Sequence, residues 1–203
     1  MPVVGVLPDM PQLLRDAAER GLPRAALARL LPGGPLAWWR LGITGLRHVR
    51  DVAGQDFRGL VPVLLELERA SLRGVDLRGA ALAAPLTDLL LAAGHRDAFA
   101  HLIDFLRGAG LSAGFETLNL GHLLARLATW QLTPDFVVGP LNRRGFRMKP
   151  TPAAVLAGVR AAAAPVLASE LTAGGTVPLP DAIAYARAQG AAGVVMTLTE
   201  LSY

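Results

Sequence analysis

The chain has 203 residues, of which 52% are hydrophobic and 18% charged. That suits one sizeable domain and excludes an extended disordered chain. With no cysteine, disulfides, thiolate metal sites and cysteine nucleophiles are excluded. The net charge of +4 comes from nineteen Arg and a single Lys spread along the chain, a dispersion that argues against a nucleic-acid surface, because counterion release needs many cations on one face.

The opening MPVVGVLPDM has no basic n-region and Asp9 interrupts its apolar run, so no signal peptide is read and a cytoplasmic address is expected. Val3–Leu7 reads as a first strand, followed by a helix over about 11–20. Leu36–Leu41 is a further candidate strand. Trp38 and Trp39 would point to its opposite faces. One of them is then expected outward, and in a surface so poor in charge this predicts an apolar patch and a homodimer. Residues 42–59 carry no clear pattern; Leu60–Ser71 reads as a helix, and Val75–Ala83 as a strand. The five-residue recurrence ASLRG, VDLRG, AALAA within 70–84 resembles a pentapeptide repeat. Three such units are too few to build a solenoid core, and chance is the better account in so Leu- and Ala-rich a chain.

The second half is the more legible. In Arg96–Arg107, Phe99, Leu102, Ile103 and Leu106 fall at i, i+3, i+4 and i+7, the stripe of an amphipathic helix. A strand is expected at about 114–118, a helix over Leu120–Trp130, and a buried strand at about 135–139. Thr151 and Pro152 supply the N-cap and first turn of a helix reaching about Ala163. A strand at 165–169, a helix over Asp181–Gln189 and a last strand at 193–197 complete the series. Continuously apolar strands alternating with amphipathic helices predict βαβ units and a parallel sheet. No linker or composition shift marks a boundary, so residues 1–203 are read as one barrel-like α/β domain. The longest stretch free of Asp, Glu, Lys and Arg, Ala188–Thr199, is twelve residues, short of the roughly 18 of a membrane span.

The run PVLASELTAGGTVPLPDAIAYARAQGAAGVVMTLTEL resembles the closing units of a (β/α)8 TIM barrel: a strand, a glycine pair, a helix of the form DAxxYAxxxG, then GVVM. GFETLNLGHLLARL and PDFVVGPLNRRGFRMKP resemble strand–loop pairs of the same superfamily, which includes aldolase-like barrels and aldo/keto reductases. The resemblance covers about residues 86–203. It implies a compact or incomplete (β/α)8-type barrel, since such barrels typically run to about 250 residues. The catalytic Tyr, Lys, Asp and His of the aldo/keto reductases cannot be carried over. The only tyrosines are Tyr185, within a predicted helix, and Tyr203, and the segment after Glu170 has no Arg or Lys before Arg187.

A barrel places its site on the loops that leave the C-terminal ends of the strands. There the sequence offers Glu116 and Asn119 closing one strand and Asn142 with a basic loop after the next. Glu170 with Gly174 and Gly175 follows the third. Glu116 and Glu170 are candidate acid/base groups, and equally the residue type that a neighbouring Arg holds in a structural ion pair. Asn119 and Asn142 are candidates for orienting a substrate carbonyl or hydroxyl, or for capping their own loops. Arg144 and Lys149, in the octet NRRGFRMK, are anion-binding candidates. Gly174 and Gly175 offer either a phosphate cradle or a plain turn. His95 and His101 are six residues apart, not the i, i+4 spacing of a zinc helix, and His48 and His122 are isolated. No metal and no cofactor is therefore expected. The expected function is lyase or isomerase chemistry on a small anionic carbonyl metabolite. The alternative is a non-catalytic barrel used for ligand sensing or protein interaction.

Overall fold

The structure, a computed structural model, describes residues 3–7 and 76–196. Asp9, the expected helices over 11–20 and 60–71, the Trp38–Trp39 strand, segment 42–59 and Tyr203 lie outside the described residues. The chain divides into two compact units, one of residues 1–83 with 97–111, the other of 84–96 with 112–203. Among the described residues there are six strands, and the first with the second, the third with the fourth, the fourth with the fifth and the fifth with the sixth pair in parallel. Among the described residues, strands alternate with helices as in an incomplete (β/α)-type barrel.

In the first unit, β1 (Val3–Leu7) pairs in parallel with β2 (Leu77–Leu82), with a register shift between Val3 and Val4. The Ala83 N–H continues the ladder to the Leu7 carbonyl at 2.9 Å. Ala80, Ala81 and Leu82 are fully buried, while Arg78 earlier in the strand is exposed. The expected amphipathic helix is α2 (Arg96–Gly108). Its buried residues are the four of the predicted stripe, Phe99, Leu102, Ile103 and Leu106.

The second unit starts with α1 (Ala84–Ala92), a helix the sequence reading did not foresee. The unit continues through β3 (Ser112–Glu116), α3 (Leu120–Trp130), β4 (Phe136–Pro140), α4 (Pro152–Ala161), β5 (Val166–Ser169), α5 (Leu179–Ala188) and β6 (Gly193–Val194). Strand β3 therefore begins two residues earlier than expected. Its start is fixed by Asp135, whose carboxylate accepts the Ala113 N–H at 2.7 Å while its own N–H donates to the Ala113 carbonyl at 2.8 Å. Thr151 caps α4 as expected, its hydroxyl accepting the Ala154 N–H at 3.2 Å.

Registers Phe115–Val137–Val166 and Glu116–Val138–Leu167 define the two faces of this sheet. Val137 and Gly139 face the helices, since a Cβ on Gly139 would lie 3.0 Å from Leu120 of α3. Glu116, Val138, Leu167, Pro140 and Ser169 share the opposite face. Strand β4 is buried at every position, as parallel strands covered on both sides are. On that opposite face a Cβ at Gly114 would sit 2.2–2.7 Å from three ring atoms of Phe136. Only glycine leaves the ring its place. Gly121, in the first turn of α3, is held to glycine by backbone. Its N–H donates to the Lys149 carbonyl at 2.9 Å, and a Cβ would come within 2.8 Å of the same oxygen.

Helix α3 ends on Gln131, an exposed residue with a left-handed φ of 56°. An L side chain there carries a steric cost that glycine lacks. Gln131→Gly is expected to stabilise the protein by about 0.5–1 kcal/mol, read as a higher Tm in thermal denaturation. An unchanged or lower Tm would show that the Gln131 side chain contributes more than its strain costs.

Candidate functional site

The candidate site lies within the second unit, where β3, β4 and β5 end. Thr117 N–H donates to the Val138 carbonyl at 2.9 Å and Leu141 N–H to the Ser169 carbonyl at 3.1 Å. These bonds carry the ladder past the strand ends and set the three following loops in order.

At the first loop, Glu116 and α1 are interlocked. The Glu116 Oε2 accepts the Ala84 N–H at 3.1 Å, at the first residue of α1. A carboxylate there satisfies an otherwise unpaired donor and meets the positive end of the helix dipole, an effect of about 0.3–1 kcal/mol. In return, Asp88 of α1 accepts the Thr117 hydroxyl on one oxygen and the Leu118 N–H at 3.1 Å on the other. Thr117 is buried, and its Oγ1 also accepts the Asn119 N–H at 2.9 Å. Asn119 itself stands at the N-cap of α3 without a side-chain cap bond.

The second loop, after β4, is tied down at its beginning, middle and end. Asn142 is 1% exposed. Its Nδ2 donates to the Phe146 carbonyl at 2.8 Å and its Oδ1 accepts the Phe146 N–H at 2.9 Å. Of the two roles open to Asn142, the structure shows the capping of its own loop. Met148 is buried beside it, with its sulfur 3.4 Å from the Asn142 nitrogen. Lys149 is fixed through its carbonyl on Gly121 and precedes a cis bond to Pro150. What this framework presents outward is cationic: Arg143, Arg144, Arg147 and Lys149 are exposed. The side chains of Arg144 and Lys149 have no hydrogen-bond or ion-pair partner among the described residues.

Glu170 begins the third loop, and Arg147 reaches it across the gap between loops: Nη1 to Oε1 is 3.0 Å. Both partners hold left-handed backbone, φ 57° at Arg147 and 54° at Glu170. Ala173 is left-handed as well. Non-glycine residues rarely adopt this region, and each costs on the order of 1–2 kcal/mol. Gly174 and Gly175 take positive φ more easily and stand exposed, but the Gly175 N–H already donates to Thr172 Oγ1 at 3.2 Å.

The structure thus brings the basic loop and Glu170 together through Arg147, while Glu116 is engaged with α1. Arg147, Asp88 and Phe146 were not singled out from sequence. Arg147 and Phe146 sit in the basic octet, but nothing local distinguishes Arg147 from its neighbours. Asp88 lies in a helix whose pattern gave no signal. Among the described residues, no group of three or more His, Cys, Asp and Glu is placed to hold a metal ion, and no helix is long and apolar enough to cross a membrane. A groove of about 660 Å³ lies between α3 and α4, but it is lined mostly by alanine and leucine, with His122 its one titratable side chain. It offers little for proton transfer. No family model, no curated protein and no solved structure matches this chain.

Proposed function

We propose that the loops after β3, β4 and β5 hold a small anionic carbonyl metabolite, and that Glu170 moves a proton on it in lyase or isomerase chemistry. The Arg147–Glu170 pair carries this reading. Two adjacent loops meet through two side chains, each on left-handed backbone, and such strain concentrates where a site needs a fixed geometry. Arg144 and Lys149 supply the attraction for an anion. Both carboxylates are engaged, and Glu170 is favoured over Glu116 as the base because its partner is the solvent-facing Arg147 side chain, whereas Glu116 accepts the first backbone N–H of α1. In the step itself, the Glu170 carboxylate takes a proton from the carbon beside the carbonyl. The C–H electron pair moves toward the carbonyl oxygen, where nearby cations oppose the developing charge. The reaction class rests on analogy with aldolase-like barrels; the residues rest on the geometry.

Binding is tested by thermal shift with pyruvate, 2-oxoglutarate, dihydroxyacetone phosphate and uridine 5′-monophosphate. A ligand at a hundred times its Kd stabilises a protein by about 2.7 kcal/mol, a Tm rise of roughly 5–11 °C at this chain length. At least one compound is expected to produce such a rise, and Arg144→Ala with Lys149→Ala to remove it. Chemistry is read by proton NMR in D₂O, as loss of the signal from the hydrogen next to the carbonyl. A ligand that binds but never exchanges that hydrogen supports the ligand-sensing alternative. Absence of any shift overturns the anion site.

A further inference from the structure

Phe146 is left over from the proposed site, and its placement is costly. A phenylalanine side chain normally gains by burial, yet this one is 40% exposed among cations. It is also held deliberately. Both side-chain hydrogen bonds of buried Asn142 go to the Phe146 backbone, Nδ2 donating at 2.8 Å and Oδ1 accepting at 2.9 Å. The Arg147 guanidinium lies 5.3 Å from the ring centroid, within the range of a cation–π contact. The same guanidinium is also paired with Glu170, Nη1 to Oε1 at 3.0 Å. An aromatic ring, a stacked guanidinium and the unpartnered Arg144 and Lys149 are thus mounted on one braced loop.

We propose that the anion bound here is a nucleoside monophosphate, with its base stacked on Phe146 and its phosphate held by Arg144 and Lys149. This rests on the reading that the loops after β3, β4 and β5 take an anion, and it names the ligand class. Flat bases stack on aromatic rings and guanidinium planes without demanding a particular hydrogen-bond pattern. A few cations match one phosphate. A polymer needs a longer basic track, which the dispersed arginines do not provide.

The test is calorimetric titration of the full chain with uridine 5′-monophosphate and with ribose 5-phosphate, which keeps the phosphate and lacks the base. The nucleotide is expected to bind about tenfold tighter, the lower range of base–aromatic stacking. Phe146→Ala should erase that preference while leaving ribose 5-phosphate affinity unchanged, and Phe146→Trp should keep it. Because the ring is exposed, both variants are expected to melt with the native chain. Equal affinity for the two ligands, or a preference that survives Phe146→Ala, overturns the nucleotide assignment and leaves the anion site standing. If neither ligand binds, and simple carbonyl anions also fail, both readings fall. An eight-nucleotide oligouridylate binding far tighter than the monomer, with steep salt dependence, would identify a polymer surface and overturn the monophosphate assignment.

Discussion

Glu170→Gln is expected to lower turnover about 10²–10⁴-fold, the contribution of a positioned general base, while the folded state stays almost as stable. The substitution keeps the shape of the side chain and the left-handed backbone strain, so it isolates the charge. The lost ion pair is a solvent-facing one, with side-chain exposures of 51% for Arg147 and 29% for Glu170. Pairs of that kind contribute about 0–1 kcal/mol, and at this length 1 kcal/mol moves Tm by roughly 2–4 °C. The measurement is therefore paired: exchange or turnover by NMR, and Tm by calorimetry. A collapse of Tm with the activity would mean that Glu170 holds the two loops together and does no chemistry. Full activity in the variant would place the proton transfer on another group.

The second large effect is on stability. Phe115→Ala is expected to cost about 3–5 kcal/mol, a Tm loss of roughly 6–20 °C. Phe115 is wholly buried on the helix-facing side of β3, in register with Val137 and Val166, both buried too. Removing the ring forfeits its transfer free energy and leaves a cavity that a sheet buried on both faces closes poorly. Exposed Phe146 serves as the internal control, since truncating it to alanine removes a similar ring with little burial to lose. Comparable losses at both positions would mean that Phe146 is packed as a core residue and not held for a ligand. A loss at Phe115 below about 1 kcal/mol would contradict the parallel register that buries it.

What was legible in the sequence was legible for local reasons. The stripe Phe99, Leu102, Ile103 and Leu106 is set by the 3.6-residue period, and those four residues are the buried ones of α2. Thr151 and Pro152 start α4 through side-chain and backbone chemistry that needs no distant partner. Helix α1 was missed because its sequence, APLTDLLLA, is apolar almost throughout and even Thr87 is buried, so no polar face announces a period. At the site, the sequence placed Glu116, Asn142 and Glu170 at the ends of successive strands, because a continuous apolar run must end where polar residues begin. It could not tell what each would touch. That Glu116 meets the start of α1, 32 residues away in sequence, and Glu170 meets Arg147, 23 away, depends on strand register and on loop backbone. Asn142 turned inward on its own loop, leaving Phe146 facing out. The sequence by itself determined the period, the caps and the order of the parallel units, because those follow from contacts within one or two turns of chain. Only the tertiary structure decided which carboxylate is engaged with a helix end and which is left beside the cations, because that choice is made between groups the chain brings together from far apart.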